Sequence, residues 1–153
     1  MALKPNVPKG KQILFVAAIV VLILDIVTKQ LIRSAVTVGD AIEILPFFSI
    51  AHVQNQGVAF GLLQIEQLRW VLTAVALAVA AVIFMSCAHN KLKEHYLAWG
   101  LIAGGAVGNA LDRITIGVVT DFLSFSFWPA FNVADSALTI GVVLLCWHAM
   151  RKE

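Results

Sequence analysis

Four apolar stretches, each long enough to cross a bilayer, constrain this chain more than anything else in it. A spanning helix needs about 20 residues at about 1.5 Å each. Residues 13–33, 69–87, 96–113 and 132–150 come close to or exceed that length. The chain is 60% hydrophobic and 13% charged, whereas soluble domains average about 45–50% and about 25%. The expectation is a single integral membrane domain over 1–153, mainly α, built as a four-transmembrane-helix bundle. Lys4, Lys9 and Lys11 ahead of ILFVAAIVVLIL imitate a signal peptide. No small-residue cleavage site follows, and the helical pattern runs on through DIVTKQLIR, so a retained first helix is expected.

Charge placement gives an orientation. Lys4, Lys9, Lys11, Lys91, Lys93, Arg151 and Lys152 lie at the termini and in the 88–95 loop, seven of the eleven basic residues. By the positive-inside rule both termini face the cytoplasm. Seven of the nine acids then fall in the outer half: Asp25, Asp40, Glu43, Glu66, Asp112, Asp121 and Asp135. Carboxylates at a bilayer edge are expensive and usually functional.

In the first span, Asp25 and Lys29 are four apart and share a helix face. They form either an internal pair with Lys29 snorkelling to the outer interface, or a brace for a site. Residues 34–68 are β-branched and aromatic, with Pro46 as a break, and predict a small extracytoplasmic β-cradle. Asn55-Gln56-Gly57 is either a glycine turn there or a hold on a peptide backbone through Asn55. QIEQLRW suits a short interfacial helix. The second span is aliphatic scaffold, with Cys87 a small buried hydrophobe at its end.

The third span carries Gly100, Gly104 and Gly108, a smooth ridge for close helix approach. Asn109, Asp112 and Arg113 gather at its outer end. Asp112 with Arg113 makes a local charge pair or braces the site; the ridge favours bracing. Asp121 follows on an extended segment after Gly117, and the aromatic stretch 122–131 suits the outer interface, ending at Pro129. Asn132-Val133-Ala134-Asp135 reads as a helix start, with Asn132 as N-cap and Asp135 at N3, so a capping role competes with a chemical one for Asp135.

Two neighbouring carboxylates cannot both ionise easily, and one keeps a proton. The charged member can then deprotonate water while the neutral one polarises an amide carbonyl. Asp121 and Asp135 are the candidates, with Asp135 expected as the base at its helix N-terminus and Asp121 as the proton holder. The four scattered histidines and two cysteines lack metal-ligand spacing, and there is no phosphate loop or nucleic-acid patch, so no metal, cofactor or nucleic acid is expected. A serine–lysine pair through Lys29 has no motif behind it. Two other classes are weighed: a small ion or proton-coupled carrier, which requires acids spread across the bilayer where these cluster on the outer side, and a structural subunit in which the acids are interhelical glue.

Asp25-x-x-x-Lys29, N-Q-G-V-A-F at 55–60, G-N-A-L-D-R at 108–113, V-V-T-D-F at 118–122 and F-N-V-A-D-S-A at 131–137 resemble the lipoprotein signal peptidase (signal peptidase II) family, in its motif order and across essentially the whole chain. The resemblance implies an inner-membrane aspartyl endopeptidase acting on diacylglyceryl-modified prolipoproteins among membrane lipids, cutting just before the lipidated cysteine, and a target for globomycin. It implies catalytic roles for Asp121 and Asp135. Supporting or substrate-binding roles fall on Asp25, Lys29, Asn55, Gly57, Asn109, Asp112, Arg113, Asn132 and Ala134. Val58, where alanine is common, and a short 122–131 connection depart from the family pattern.

Overall fold

Helices with few interruptions follow from long apolar runs without proline. A computed structural model describes residues 9–57, 65–92 and 94–151. Val58 and the rest of its motif to Phe60 lie outside these. The elements are α1 (Lys9–Ala35), β1 (Ala41–Leu45), β2 (Phe48–Asn55), α2 (Ile65–Ala88), α3 (Tyr96–Thr115), β3 (Val119–Phe125), β4 (Trp128–Phe131) and α4 (Val133–Met150).

Three of the helices, α1, α2 and α4, are long and apolar enough to cross a membrane. Their outward faces carry large hydrophobics such as Val16, Ile23, Val82 and Val143, each more than half exposed. In water such a surface would aggregate; in lipid it is the solvated face. The third helix is different because it is central. It packs against α1, α2 and α4, and eleven of its residues are buried. A helix surrounded by protein can carry glycine, asparagine and charge that a lipid-facing one cannot.

The glycine ridge allows that central position. A Cβ at Gly104 would stand 2.7 Å from the Ala18 carbonyl oxygen and 2.9 Å from its Cα. One at Gly105 would stand 2.5 Å from the Ala134 carbonyl. Gly104 therefore seats α1 and Gly105 seats α4, backbone against backbone. At one end the core is Leu14, Ile83, Cys87, Ile102 and Ala103, and Cys87 is the small buried hydrophobe the sequence predicts.

The strands form one antiparallel sheet in the order β1-β2-β3-β4. Pro46 lies in the turn between β1 and β2, as expected. The aromatic stretch behaves differently: it is the β3–β4 hairpin, turning at Ser126–Phe127, and Pro129 lies inside β4 rather than ending it. A proline is tolerated there because β4 is an edge strand and one side of it needs no ladder donor. Phe125 stacks on Phe131 across the hairpin and packs at a tilt against Phe48 of β2, with ring centroids 6.1 and 4.8 Å apart. The predicted interfacial helix is likewise not separate. From Ile65 onward it is the first turns of α2, since nothing between Ile65 and Ala88 is glycine or proline.

Gly104→Val drives a branched side chain into the α1 backbone. It should destabilise the protein in detergent by at least about 1–3 kcal/mol, whereas Ile23→Val on the exposed face should stay within about 0.5 kcal/mol. Thermal unfolding followed by tryptophan fluorescence compares the two; equal midpoints would contradict the ridge assignment.

Candidate active site

The site is assembled where α1, α3, β3 and the start of α4 meet. Its base is a run of buried opposite charges. Asp25 and Lys29 are 0% and 1% exposed, with Lys29 Nζ 2.6 Å from Asp25 Oδ2. Lys29 also lies 3.3 Å from Asp112 Oδ2 and donates to Asn109 Oδ1 at 3.1 Å. The side chain therefore does not snorkel. Two carboxylates and an amide hold it inside the bundle, so the internal Asp25–Lys29 pair is present without the snorkelling.

Asp112 is also held inside the bundle, and its partner is not the adjacent Arg113. Successive helix residues point about 100° apart, so Arg113 cannot follow Asp112 onto the α1 face. Asp112 instead pairs with Arg33 of α1 and accepts from the Thr120 backbone N–H at 3.0 Å. Arg113 reaches back to the Asn109 carbonyl, at 3.4 Å, and lies in the field of Asp135, Asp121 and Asp112. Arg33 and Thr120 were not singled out from the sequence. The signal for Arg33 was present: it continues the Asp25–Lys29 spacing by another four residues.

Asp25 reaches the fourth helix as well. Its Oδ1 accepts from the Ala134 N–H at 2.9 Å, one of the first-turn donors that a helix cannot satisfy internally. Ala134 is fully buried, and a Cβ at Gly108 would meet Asp25 Oδ2 at 2.6 Å and the Ala134 Cβ at 3.4 Å. Small residues at 108 and 134 thus let a carboxylate sit at a helix N-terminus, where the backbone dipole favours an anion.

Asn132 caps α4 in a full capping box with Asp135. Asp135 N donates to Asn132 Oδ1 at 2.9 Å, and Asn132 N donates to Asp135 Oδ2 at 3.3 Å. The same asparagine donates through Nδ2 to Asp121 Oδ1 at 2.7 Å. Asn109 Nδ2 donates to the other oxygen of Asp135 at 2.7 Å. The cap of α4 is therefore also a link between the two acids, with Asp121 and Asp135 both bound to Asn132.

Asp121 is 1% exposed, whereas Asp135 is only half-buried. Asn55 Nδ2 donates to Asp121 Oδ2 at 2.9 Å, and its Oδ1 accepts from Gly57 N at 2.8 Å. Gly57 has φ of 76°, a left-handed turn that suits glycine. The glycine turn is thus present, and it orients an amide that grips Asp121 rather than a peptide backbone. Val53 pairs with Asp121 in the sheet, and Asn55 reaches the acid diagonally from the same face. Burial pushes the Asp121 carboxyl up to about 6. Hydrogen bonds from Asn55 and Asn132 oppose the rise, and the Asp135 charge adds to it.

Two cavities of about 350 Å³ open beside the acids. One, between β4 and α4, is lined by Trp128, Phe131, Asp135, Ser136, Thr139 and Ile140. The other, over β2–β4, is lined by Val53, Gln54, Asn55, Gln56, Asp121, Pro129 and Ala130. A larger apolar groove between α1 and α3 is lined by Lys9, Ile13, Val20, Leu97 and neighbours; it holds no acid. Among the described residues no three His, Cys, Asp or Glu side chains converge to hold a metal ion.

Residues 17–151, which include every candidate site residue, match the family model described as signal peptidase (SPase) II. The chain belongs to the signal peptidase II family. It is accordingly an aspartic peptidase. A lipoprotein signal peptidase of Symbiobacterium thermophilum is 44% identical over 148 residues, covering 90% of this chain and 94% of that one. One from Paraburkholderia phymatum is 39% identical over 142 residues, covering 88% and 86%. The fold is similar to a solved bacterial membrane enzyme, with a TM-score of 0.81 at 29% identity, covering 92% of this chain and 94% of that one.

The environment of Asp121 gives this signal peptidase II a pH signature. The unfolded group ionises near 3.8 and the folded one near 6, so between these values the folded state binds the extra proton. The group's stabilising contribution is full below about pH 4 and is lost as pH rises through about 6. Asp121→Asn should flatten the stability profile in that window by about 2–3 kcal/mol. Chemical unfolding in detergent from pH 4 to 7 checks this; parallel profiles for the two proteins would rule it out.

Proposed function

We propose that this chain is a membrane endopeptidase that removes signal peptides from diacylglyceryl-modified prolipoproteins, cutting just before the lipidated cysteine, with Asp121 and Asp135 activating the attacking water. The observation that carries this reading is the shared Asn132: its amide holds Asp121 while its backbone N–H holds Asp135. The lipoprotein signal peptidase names of its relatives support the substrate class.

In this mechanism Asp135, anionic at a helix N-terminus, takes a proton from the water. Asp121, whose carboxyl burial raises to about 6, gives its proton to the scissile carbonyl oxygen as the hydroxide adds to the carbonyl carbon. The tetrahedral intermediate collapses when Asp135 returns its proton to the leaving amine and Asp121 recovers its own. Asn55, Gly57 and Arg113 border the path of the substrate. Asp25, Lys29, Asn109, Asp112, Asn132 and Ala134 hold the acids in place.

The domain is read as one unit with four spans in a bacterial inner membrane. The 20 residues of α3, about 30 Å of helix, support its counting as the fourth. The basic termini and 88–95 loop support cytoplasmic termini, with the aspartates toward the extracytoplasmic face. A precursor held by its lipid would then present its cleavage site at the bilayer surface, level with the sheet. Globomycin is expected to compete for the same space.

Asp121→Asn and Asp135→Asn should each lower conversion of lipidated precursor in proteoliposomes by about 10²–10⁴-fold, with the fold retained. Either variant, folded and processing at the wild-type rate, would end the dyad reading. The free-enzyme profile, kcat/KM, should bend downward above about pH 6 as the shared proton is lost, the limb belonging to the coupled pair.

A further inference from the structure

The proposed dyad leaves unexplained a third cluster that lies beside it, on the strand that carries Asp121. Thr120 is fully buried and is held at three different atoms. Its Oγ1 accepts from Arg33 Nε at 2.9 Å. Its backbone N–H donates to Asp112 Oδ2 at 3.0 Å. Its carbonyl accepts from Asn132 Nδ2 at 3.4 Å. Arg33 Nη2 in turn pairs with the remaining oxygen of Asp112. Arg33, Asp112 and Thr120 therefore close a ring of hydrogen bonds that joins α1, α3 and β3.

We infer that Arg33 and Thr120 form a clamp that positions Asp121 for the reaction, Arg33 acting through Thr120 rather than touching substrate. The inference rests on the reading of Asp121 as a catalytic acid. Neighbouring strand residues project to opposite faces, so anchoring the side chain of Thr120 toward α1 sets the direction in which Asp121 leaves the strand. The Thr120 carbonyl belongs to the peptide unit that joins it to Asp121. That carbonyl and Asp121 Oδ1 share one donor, Asn132 Nδ2, so the clamp also fixes the acid relative to the cap of α4 and hence to Asp135.

Only a planar, forked cation fits the role. Arg33 must send Nε to a hydroxyl and Nη2 to a carboxylate at once, whereas lysine offers one point charge on a flexible stem. Its side chain is 23% exposed, enough for a guanidinium at the edge of the bundle to stay charged. The geometric demand is severe, since misplacing a reacting group by about 1 Å can lower a rate about 10²-fold.

The test uses the full-length enzyme in proteoliposomes with lipidated precursor. Arg33→Lys and Thr120→Val should each lower kcat by about tenfold with KM within about twofold, and both should shift the basic limb of kcat/KM. Thr120→Ser, which keeps the hydroxyl, should restore the wild-type rate and limb. The double variant Arg33→Lys/Thr120→Val should be no slower than Arg33→Lys alone, because both act on one clamp. Wild-type kcat in folded Arg33→Lys and Thr120→Val, a loss confined to KM, or multiplying losses in the double variant would each overturn the clamp. Asp121→Asn run alongside separates the two levels. If it is inactive while the clamp variants are normal, only the clamp fails; if it still processes precursor, the dyad reading fails first.

Discussion

The structure depends on keeping the Asp25–Lys29–Asp112–Arg33 charges inside a helical bundle. Moving an isolated charge out of water carries a penalty of several kcal/mol, and breaking a buried pair typically costs about 3–5 kcal/mol. Here the charges alternate in sign along the α1–α3 seam, so the set is neutral and each member has polar partners. That balance requires very close helices. Bare glycines at 104 and 108 bring the α3 backbone onto α1, and a side chain at 108 would occupy the place of the Asp25 carboxylate. The small-residue ridge and the buried ions are thus two halves of one constraint.

The network also fixes the fourth helix. Asp25 takes the Ala134 N–H and Asn132 takes the Asp135 N–H, so two of the orphan donors of α4 are satisfied by side chains, one of them from another helix. Lys29 reaches Asn109, which reaches Asp135. A capping residue normally stabilises only its own helix. In this chain the cap is tied through one amide to the ion pairs and through another to the strand bearing Asp121. The two acids consequently receive unequal surroundings, one sealed under the sheet and one at a half-open helix end.

Much of this was legible in the sequence because it is written in short-range spacing. The four-residue step from Asp25 to Lys29, the glycine repeat in α3 and the N-x-x-D helix start each specify a local geometry, and each appears where expected. What could not be read were choices made between elements. Whether Lys29 turned outward or inward depended on Asn109 and Asp112, 80 and 83 positions later. The pairing of Asp112 with Arg33 instead of Arg113 depended on which face of α3 met α1. Pro129 looked like a terminator because proline usually is one; only the strand order shows that β4 is an edge. Thr120 carries no signal of its own, since a threonine in a β-branched stretch is an ordinary strand residue.

Dividing the proposed dyad between a strand and a helix start has a physical consequence for a membrane protease. Two acids on one rigid element would keep a fixed separation and offer an extended peptide no route between them. Here Asp121 belongs to the sheet, and Asp135 belongs to a helix whose outward side chains face lipid. The cavities beside them follow that division: one is bounded by sheet residues and the other by β4 and α4. The lipid-anchored substrate proposed above has the same two-part character, with an apolar portion that must stay in the bilayer and a peptide bond that must reach water. The seam between sheet and helix is where both demands can be met at once. The polar links across it, through Asn132 and through the ring at Thr120, are what keep that seam in register.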